Sequence, residues 1–380
     1  MNELSLGVLA TSSKENESRL PIHPQHLDRI DADLRSRIVL ERGYGNRYGV
    51  SEDYLATMVG GIRSRDEIIA TTDVVLLPKP TLEDVASLRE GQVLWGWPHA
   101  VQDPELTQIC IDKRLTLIAW EAMNHWTPSG GFGVHVFHLN NELAGYCSVL
   151  HAMTLIGSTG HYGRPLKAVV IGFGNTARGA ITALNGLGIH DVTVLTTREV
   201  TAVASPFPSV VLNHLDRLET DPSRTTVQTD NGPVPTATFL AGHDIVVNCV
   251  LQDTDAPLMF VSGSEVAEFA PGSLFVDVSC DADMGFSFAR PTSFEEPMLT
   301  VGEGVSYYGV DHSPSYLWNS ATWTISEALI PFLRSVMSGP SAWDLDRTIE
   351  LAIEIRAGVI ANPKILSFQG RSAEYPHPAT

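Results

Sequence analysis

KAVVIGFGNTARGA, residues 167–180, is the stretch on which the fold turns: an all-apolar run breaks into glycines and opens a helix. Residues 168–171 read as a short buried strand. Gly172, Gly174 and Ala177 then fit the G-x-G-x-x-G/A turn that lets backbone approach a pyrophosphate at a helix N-terminus. Asn175 and Thr176 open the predicted helix and join those three as expected cofactor contacts. A second apolar run, 192–195, follows after a helix-length interval, as a βαβ unit requires. The motif starts only at residue 167, so a substantial unit of other sequence precedes it.

The end of the second strand is where a dinucleotide fold selects its cofactor. An acid there hydrogen-bonds the ribose 2'-hydroxyl and repels a 2'-phosphate. In VLTTRE that place is taken by Thr196, with Thr197 and Arg198 beside it. Two hydroxyls and a guanidinium suit a phosphate, so NADP(H) is expected in preference to NAD(H). Arg198 as a solvated loop charge, or Glu199 bending back to the ribose, is the alternative. The apolar strand 244–251 brings Cys249, Val250 and Leu251 to the same cofactor edge.

The chain has 380 residues, 43% of them hydrophobic, enough for two or three domains with substantial cores. Its 25 basic against 44 acidic residues give a formal charge of -19, which repels nucleic acid and anionic membrane. Cys110, Cys147, Cys249 and Cys280 lie far apart with no C-x-x-C pair, arguing against zinc ribbons and a secreted disulfide scaffold. A cytoplasmic protein is expected. The opening MNELSLGVLATSSKENE lacks a basic n-region and a sustained apolar core, and no stretch reaches the ~20 apolar residues of a membrane span.

Before the motif, buried-looking strands are predicted at 6–10, 38–40, 74–77, 93–95 and 115–120, separated by helical stretches. The alternation predicts a second α/β sheet. NELAGYCSVLHAMTLI, 141–156, reads as a helix linking the domains, and 274–279 as another strand of the cofactor sheet. Past residue 313 the pattern turns helical, with amphipathic helices predicted at 320–333 and 342–360 and a frayed tail from Gln369. The expected architecture is α/β, two Rossmann-like domains with parallel sheets and an interdomain cleft. Residues 1–140 with 313–380 form the substrate domain, and 141–312 the dinucleotide-binding domain.

Open α/β sheets bind ligands outside the carboxyl ends of their strands. DVVLL is followed by Pro78-Lys79-Pro80, QVLWGW by Pro98-His99, and LTLIAW by Glu121; in the cofactor half, LFVDVSC leads to Asp281. Each has a plainer reading. Lys79 could be an exposed turn lysine, His99 a satisfied core histidine, Glu121 the partner of a neighbouring base, and Asp277 or Asp281 a turn cap. Arg19, in KENESRLP, could be a surface ion pair. Trp95, Trp97, Trp120 and Trp126 cluster near the strand ends, as pocket lining or as core.

Together these segments resemble the alanine dehydrogenase and transhydrogenase superfamily, with its saccharopine dehydrogenase and carboxyethylornithine synthase relatives, over almost the whole chain. KENESRLPIHP is similar to the family's KxxExR signature, which implies Arg19 as clamp on an oxo-acid carboxylate. LLPKP implies Lys79 as the substrate lysine, GWPH implies His99 as the catalytic histidine, and VDVSCD implies Asp281 as the catalytic-site aspartate. NNELAGY resembles the SEVAGR-type linker segment, with Asn141 in place of serine and on the cofactor side. VDVSCD and YYGVDHSPS, with His312 near where alanine dehydrogenases carry asparagine, resemble the saccharopine and carboxyethylornithine branch more. His312 is expected at the substrate.

The resemblance implies reductive C–N chemistry: an amine condenses with a 2-oxo acid, and the imine accepts hydride from the nicotinamide. His99 would exchange protons near neutral pH, Lys79 would polarise the carbonyl, Arg19 would hold the carboxylate bidentately, and Glu121 would meet a distal amine. Small-molecule 2-oxo acid and amine partners are expected, with no nucleic acid, no membrane and a possible homo-oligomer. Two other classes stay open: a catalytically dead NADP(H) sensor, and a metal enzyme using His23 and His26 or His135 and His138. Neither histidine pair has a further ligand cluster nearby, so no metal is expected.

Overall fold

The computed structural model describes residues 3–10, 12–198, 210–253 and 255–379. Contacts divide the chain into Met1–His138 with Trp318–Thr380, and Leu139–Leu317.

In the first unit an eight-stranded sheet runs in the order Val359–Ile360, Ile353–Arg356, Thr116–Ala119, Val93–Gly96, Val74–Leu76, Leu6–Val8, Ile38–Glu41, Gly61–Arg63. The six strands from Thr116–Ala119 to Gly61–Arg63 are parallel, and the remaining two are antiparallel. LGV, VVL, VLWG and TLIA are buried throughout, the pattern of strands covered on both faces. One face packs on Trp95, Trp120, Leu329 and Ile325, the other on Leu94, Leu117, Ile111 and Leu106. Val74 pairs with Val93 and Val93 with Thr116, so the segments leading to Lys79, His99 and Glu121 leave adjacent strands at one edge.

The C-terminal segment departs from expectation. A single helix over 342–360 is not formed. Short helices Pro340–Trp343 and Arg347–Ala352 give way to strand Ile353–Arg356, which pairs with Thr116–Ala119. Ile353 and Ile355 alternate with Glu354 and Arg356, a period of two, and Ala357 (φ 49°) and Gly358 (φ 83°) make the two-residue turn into Val359–Ile360. Likewise the helix expected over 320–333 runs Trp318–Leu329 and changes to a tighter turn at Pro331, which cannot donate its amide. The tail is docked rather than frayed: His377 is 1% exposed, accepts the Ile360 N–H on Nε2 and donates Nδ1–H to Ser372 O.

The second unit carries a nine-stranded sheet whose six parallel strands lie in the order Val210–Arg217, Asp191–Thr196, Lys167–Ile171, Ile245–Asn248, Leu274–Asp277, Val305–Tyr308. Read along the chain this is the 3-2-1-4-5-6 order of a doubly wound dinucleotide fold, reversing between Lys167–Ile171 and Ile245–Asn248. Antiparallel strands complete both edges. Helix His138–Leu155 packs against helix Asn175–Gly186 through Gly145 and Gly179. A Cβ on Gly145 would fall on the Thr176 carbonyl oxygen, and one on Gly179 on that of Glu142.

Candidate active site

At the reversal of strand order in the second unit, Lys167–Ile171 ends in Gly172 at φ 97°, a conformation open to glycine. A Cβ there would stand 3.3 Å from the Cys249 carbonyl oxygen. Gly174 caps the twelve-residue helix Asn175–Gly186 without a side-chain hydrogen bond, and a Cβ on it would meet nothing within 4 Å. Open space therefore lies before a helix N-terminus whose first amides carry no side-chain cap, which fits a pyrophosphate. Ala177 is fully buried, and Asn175 and Thr176 form the first turn. The close helix approach is carried by Gly179, two residues beyond the third position of the G-x-G-x-x-G/A pattern.

Cys249 N–H donates to Ile171 O, Val250 N–H to Asn248 Oδ1 at 3.2 Å, and Leu251 is 89% exposed. Thr196 is the buried last residue of strand Asp191–Thr196, and its Oγ1 accepts the Arg198 N–H at 3.1 Å. Thr197 and Arg198 are exposed; Glu199 lies outside the described residues. Asn141 sits half-buried in helix His138–Leu155.

Asp277 and Asp281 differ in setting. Asp277 is fully buried and accepts from Asn248 Nδ2 (2.9 Å), Cys280 N–H (3.0 Å) and Tyr307 OH (3.1 Å). Burial nonetheless pushes its carboxyl up to about 7. It ties the ends of two neighbouring strands together and caps the turn in which Cys280 takes φ 44°. Asp281, next in the chain, is half-buried. His312 is 2% exposed, with Nδ1 2.6 Å from Asp311 Oδ1 and its ring edge-on to Phe294.

In the first unit Lys79, His99 and Glu121 come together. The Pro78-Lys79-Pro80 turn is held by Ser12 Oγ, which donates to Lys79 O at 2.5 Å, and by Trp97 N–H, which donates to Pro78 O at 2.9 Å. His99 takes φ 51°, a left-handed conformation uncommon outside glycine. Its N–H donates to Glu121 Oε1 at 2.7 Å, and its imidazole side chain is 44% exposed. Burial, then the charge of Glu354, pushes the Glu121 carboxyl up to about 8, against the pull of Lys79. Arg19 is 5% exposed. Glu17 takes its Nε and Nη2 edge at 2.8 and 2.5 Å, and its guanidinium stands 5.2 Å from the Trp97 ring. The ion pair is thus real, but internal and next to the His99 loop rather than on the surface. Trp120 stacks on Phe137 and meets Trp97 edge-on in the core, while Trp126 contacts Phe132 instead. His23 and His26 pack with Trp323. Among the described residues no group of three or more His, Cys, Asp or Glu is arranged to hold a metal.

Two residues escaped the sequence reading. Glu17 carries no periodic signal inside KENESR that marks it as the partner of Arg19, and Glu354 lies in a stretch whose spacing predicts a helix.

The sequence pattern of the alanine dehydrogenase/PNT N-terminal domain matches residues 7–137, and that of the C-terminal domain residues 144–363. The chain belongs to this family and is a pyridine-nucleotide-dependent oxidoreductase. It is 25% identical over 342 residues to an alanine dehydrogenase of Mycobacterium tuberculosis, covering 86% of this chain and 85% of the relative. It is 24% identical over 354 residues to an N(5)-(carboxyethyl)ornithine synthase of Clostridium botulinum, covering 88% and 95%. A solved L-alanine dehydrogenase shares the fold at TM-score 0.74 and 20% identity, over 96% of this chain and 99% of that one. A transhydrogenase from Sinorhizobium meliloti does so at 0.68 and 19%, over 94% and 99%. No helix among the described residues is long and apolar enough to cross a membrane.

Proposed function

We propose that the chain reductively joins a 2-oxo acid to an amino-acid amine with NADP(H), as the name of its carboxyethylornithine synthase relative suggests. The observation that carries this reading is the convergence of Lys79, His99 and Glu121 at the ends of three adjacent strands, with a buried arginine beside them. The nicotinamide, when bound, supplies the hydride.

The chain's own residues do the rest. Glu17 fixes one edge of Arg19, so the remaining Nη1 side of the fork grips the oxo-acid carboxylate in a set orientation. The Lys79 ammonium hydrogen-bonds the carbonyl oxygen and favours loss of water. His99, held by Glu121 through its backbone, exchanges the protons that condensation and reduction require. Glu121 also offers a carboxyl to a distal amine. In the second unit Gly172, Gly174, Asn175, Thr176 and Ala177 hold the pyrophosphate, Cys249, Val250, Leu251 and Asn141 line the cofactor, and Asp281 and His312 serve the reacting end. Thr196, Thr197 and Arg198 receive the 2'-phosphate. The four cysteines, three of them buried, suit a reducing cytoplasm, and self-association is part of the same reading.

A matrix of pyruvate, 2-oxoglutarate and glyoxylate against ammonia, alanine, ornithine and lysine, following NADPH loss and product mass, tests this. A secondary-amine product is expected. Turnover confined to pyruvate with ammonia would replace it with the alanine dehydrogenase reading that the other relatives' names suggest. No turnover with bound NADPH would favour a regulatory protein.

A further inference from the structure

Strand Leu6–Val8 runs out into Ser12, Ser13 and Lys14, and its parallel neighbour Val74–Leu76 into Pro78-Lys79-Pro80. One carboxylate ties the two segments. Asp84 is 5% exposed in helix Leu82–Ser87, whose N-cap is Thr81. Its Oδ2 accepts Thr81 N–H at 2.9 Å and the Thr81 hydroxyl at 3.1 Å, its half of a capping box. A cap needs no more. Yet Oδ2 also accepts Ser13 N–H at 3.2 Å, and Oδ1 accepts the Ser13 hydroxyl at 3.1 Å, from 71 residues away in the chain. Arg65, which opens helix Arg65–Thr71, closes on Oδ1 and supplies the counter-charge for the buried carboxylate. Its Nη1 stands 3.8 Å from Glu41 Oε2, which accepts Ala10 N–H at 2.6 Å.

Ser12 makes the last link. Its hydroxyl has one hydrogen and two acceptors, Lys79 O at 2.5 Å and Asp84 Oδ2 at 3.4 Å, and the nearer takes it. Its oxygen accepts Lys14 N–H at 3.0 Å. The bonds therefore close a circuit: Lys79 O to Ser12, Ser13 to Asp84, and Asp84 back to Thr81, two residues beyond Lys79. Pro78 and Pro80 fix φ on either side of Lys79, so the freedom left to this turn is to swing as a body. The circuit removes that freedom.

We propose that Asp84 is a positioning residue for Lys79: by holding Ser13 and Thr81 at once, it fixes the turn from which the Lys79 side chain leaves. Asp84 acts through backbone and hydroxyls, not on the substrate. The value of such a tie is directional, because a misplacement of about 1 Å at a reacting group costs on the order of a hundredfold in rate.

The inference rests on Lys79 as the residue that meets the substrate carbonyl, but its main test requires no turnover. Lys79 in the full chain is labelled with trace acetic anhydride and its rate read by peptide mass spectrometry against Lys167. Two near-isosteric variants are compared with wild type, each shown to be folded by its melting curve. Asp84→Asn keeps an oxygen for the Thr81 cap and loses the acceptor shared by Ser13 and Arg65. Ser12→Ala removes the bond to Lys79 O and leaves the cap untouched. Lys79 should be labelled about threefold or more faster in both, as the turn swings outward. With a substrate pair that turns over, both should lower kcat about tenfold or more and leave the NADPH KM as it was. Ser13→Ala replaces Asp84→Asn if that chain folds poorly. Lys79 labelling that is unchanged or slower in either folded variant overturns the proposal and leaves Asp84 as a helix cap. Faster labelling without any secondary-amine product would keep the tie and dismiss only the reaction proposed above.

Discussion

The backbone N–H of His99 donates to Glu121 Oε1 at 2.7 Å, so the carboxylate at the end of one strand holds the histidine at the end of the next in a left-handed turn. His99 at φ 51° carries strain that a glycine would not. We expect both His99→Gly and His99→Ala to lose turnover, with His99→Gly more stable than His99→Ala by about 1 kcal/mol. Denaturant titration of the two variants reads the difference; equal stabilities would mean the turn is not strained.

Two glycines five residues apart, in the cofactor turn and its helix, have opposite consequences. A Cβ on Gly174 enters open space, so Gly174→Ala should fold like wild type and bind NADPH about tenfold or more weakly, because it intrudes where the pyrophosphate lies. A Cβ on Gly179 collides with the Glu142 carbonyl oxygen, so Gly179→Ala should cost about 3 kcal/mol or more in stability. Melting curves paired with NADPH titration separate the two; a stable Gly179→Ala protein would show that the helices part readily.

Arg198 is exposed, and its N–H is held by Thr196 Oγ1. Arg198→Ala should weaken NADPH binding by about 1–2 kcal/mol and leave NADH binding unchanged. Equal losses for both dinucleotides would remove Arg198 from the 2'-phosphate.

Burial pushes the Asp277 carboxyl up to about 7 in the folded chain, well above an unfolded aspartate. Between about pH 4 and 7 the native state therefore holds a proton that the unfolded state has released, and stability falls as pH rises through that window. Asp277→Asn should flatten this fall, measured as chemical stability from pH 5 to 8. A slope unaltered by the substitution would place the proton elsewhere.

Much of this architecture was readable because parallel strands buried on both faces leave unbroken apolar runs; VVL, VLWG, TLIA and VVI stand out for that reason. The G-x-G-x-x-A turn was readable because φ 97° at Gly172 requires a glycine. Glu354 was not, since Ile349, Ala352, Ile353 and Ile355 satisfy a helical stripe as well as a strand. Only the turn at Ala357-Gly358 and the partner Thr116–Ala119, 230-odd residues earlier in the chain, decide between them. Glu17 lay in plain view, but whether an acid two residues from an arginine is its partner depends on a loop path that no periodicity encodes.

Because Ile353–Arg356 completes the sheet begun at Leu6–Val8, the ribosome must deliver the whole second unit before the first can be finished. Until then Thr116–Ala119 is an unguarded margin, apolar and able to recruit a foreign strand. A nascent or truncated chain ending before Trp318 would therefore be a natural client for a chaperone, whereas the second unit, continuous from Leu139 to Leu317, can mature first.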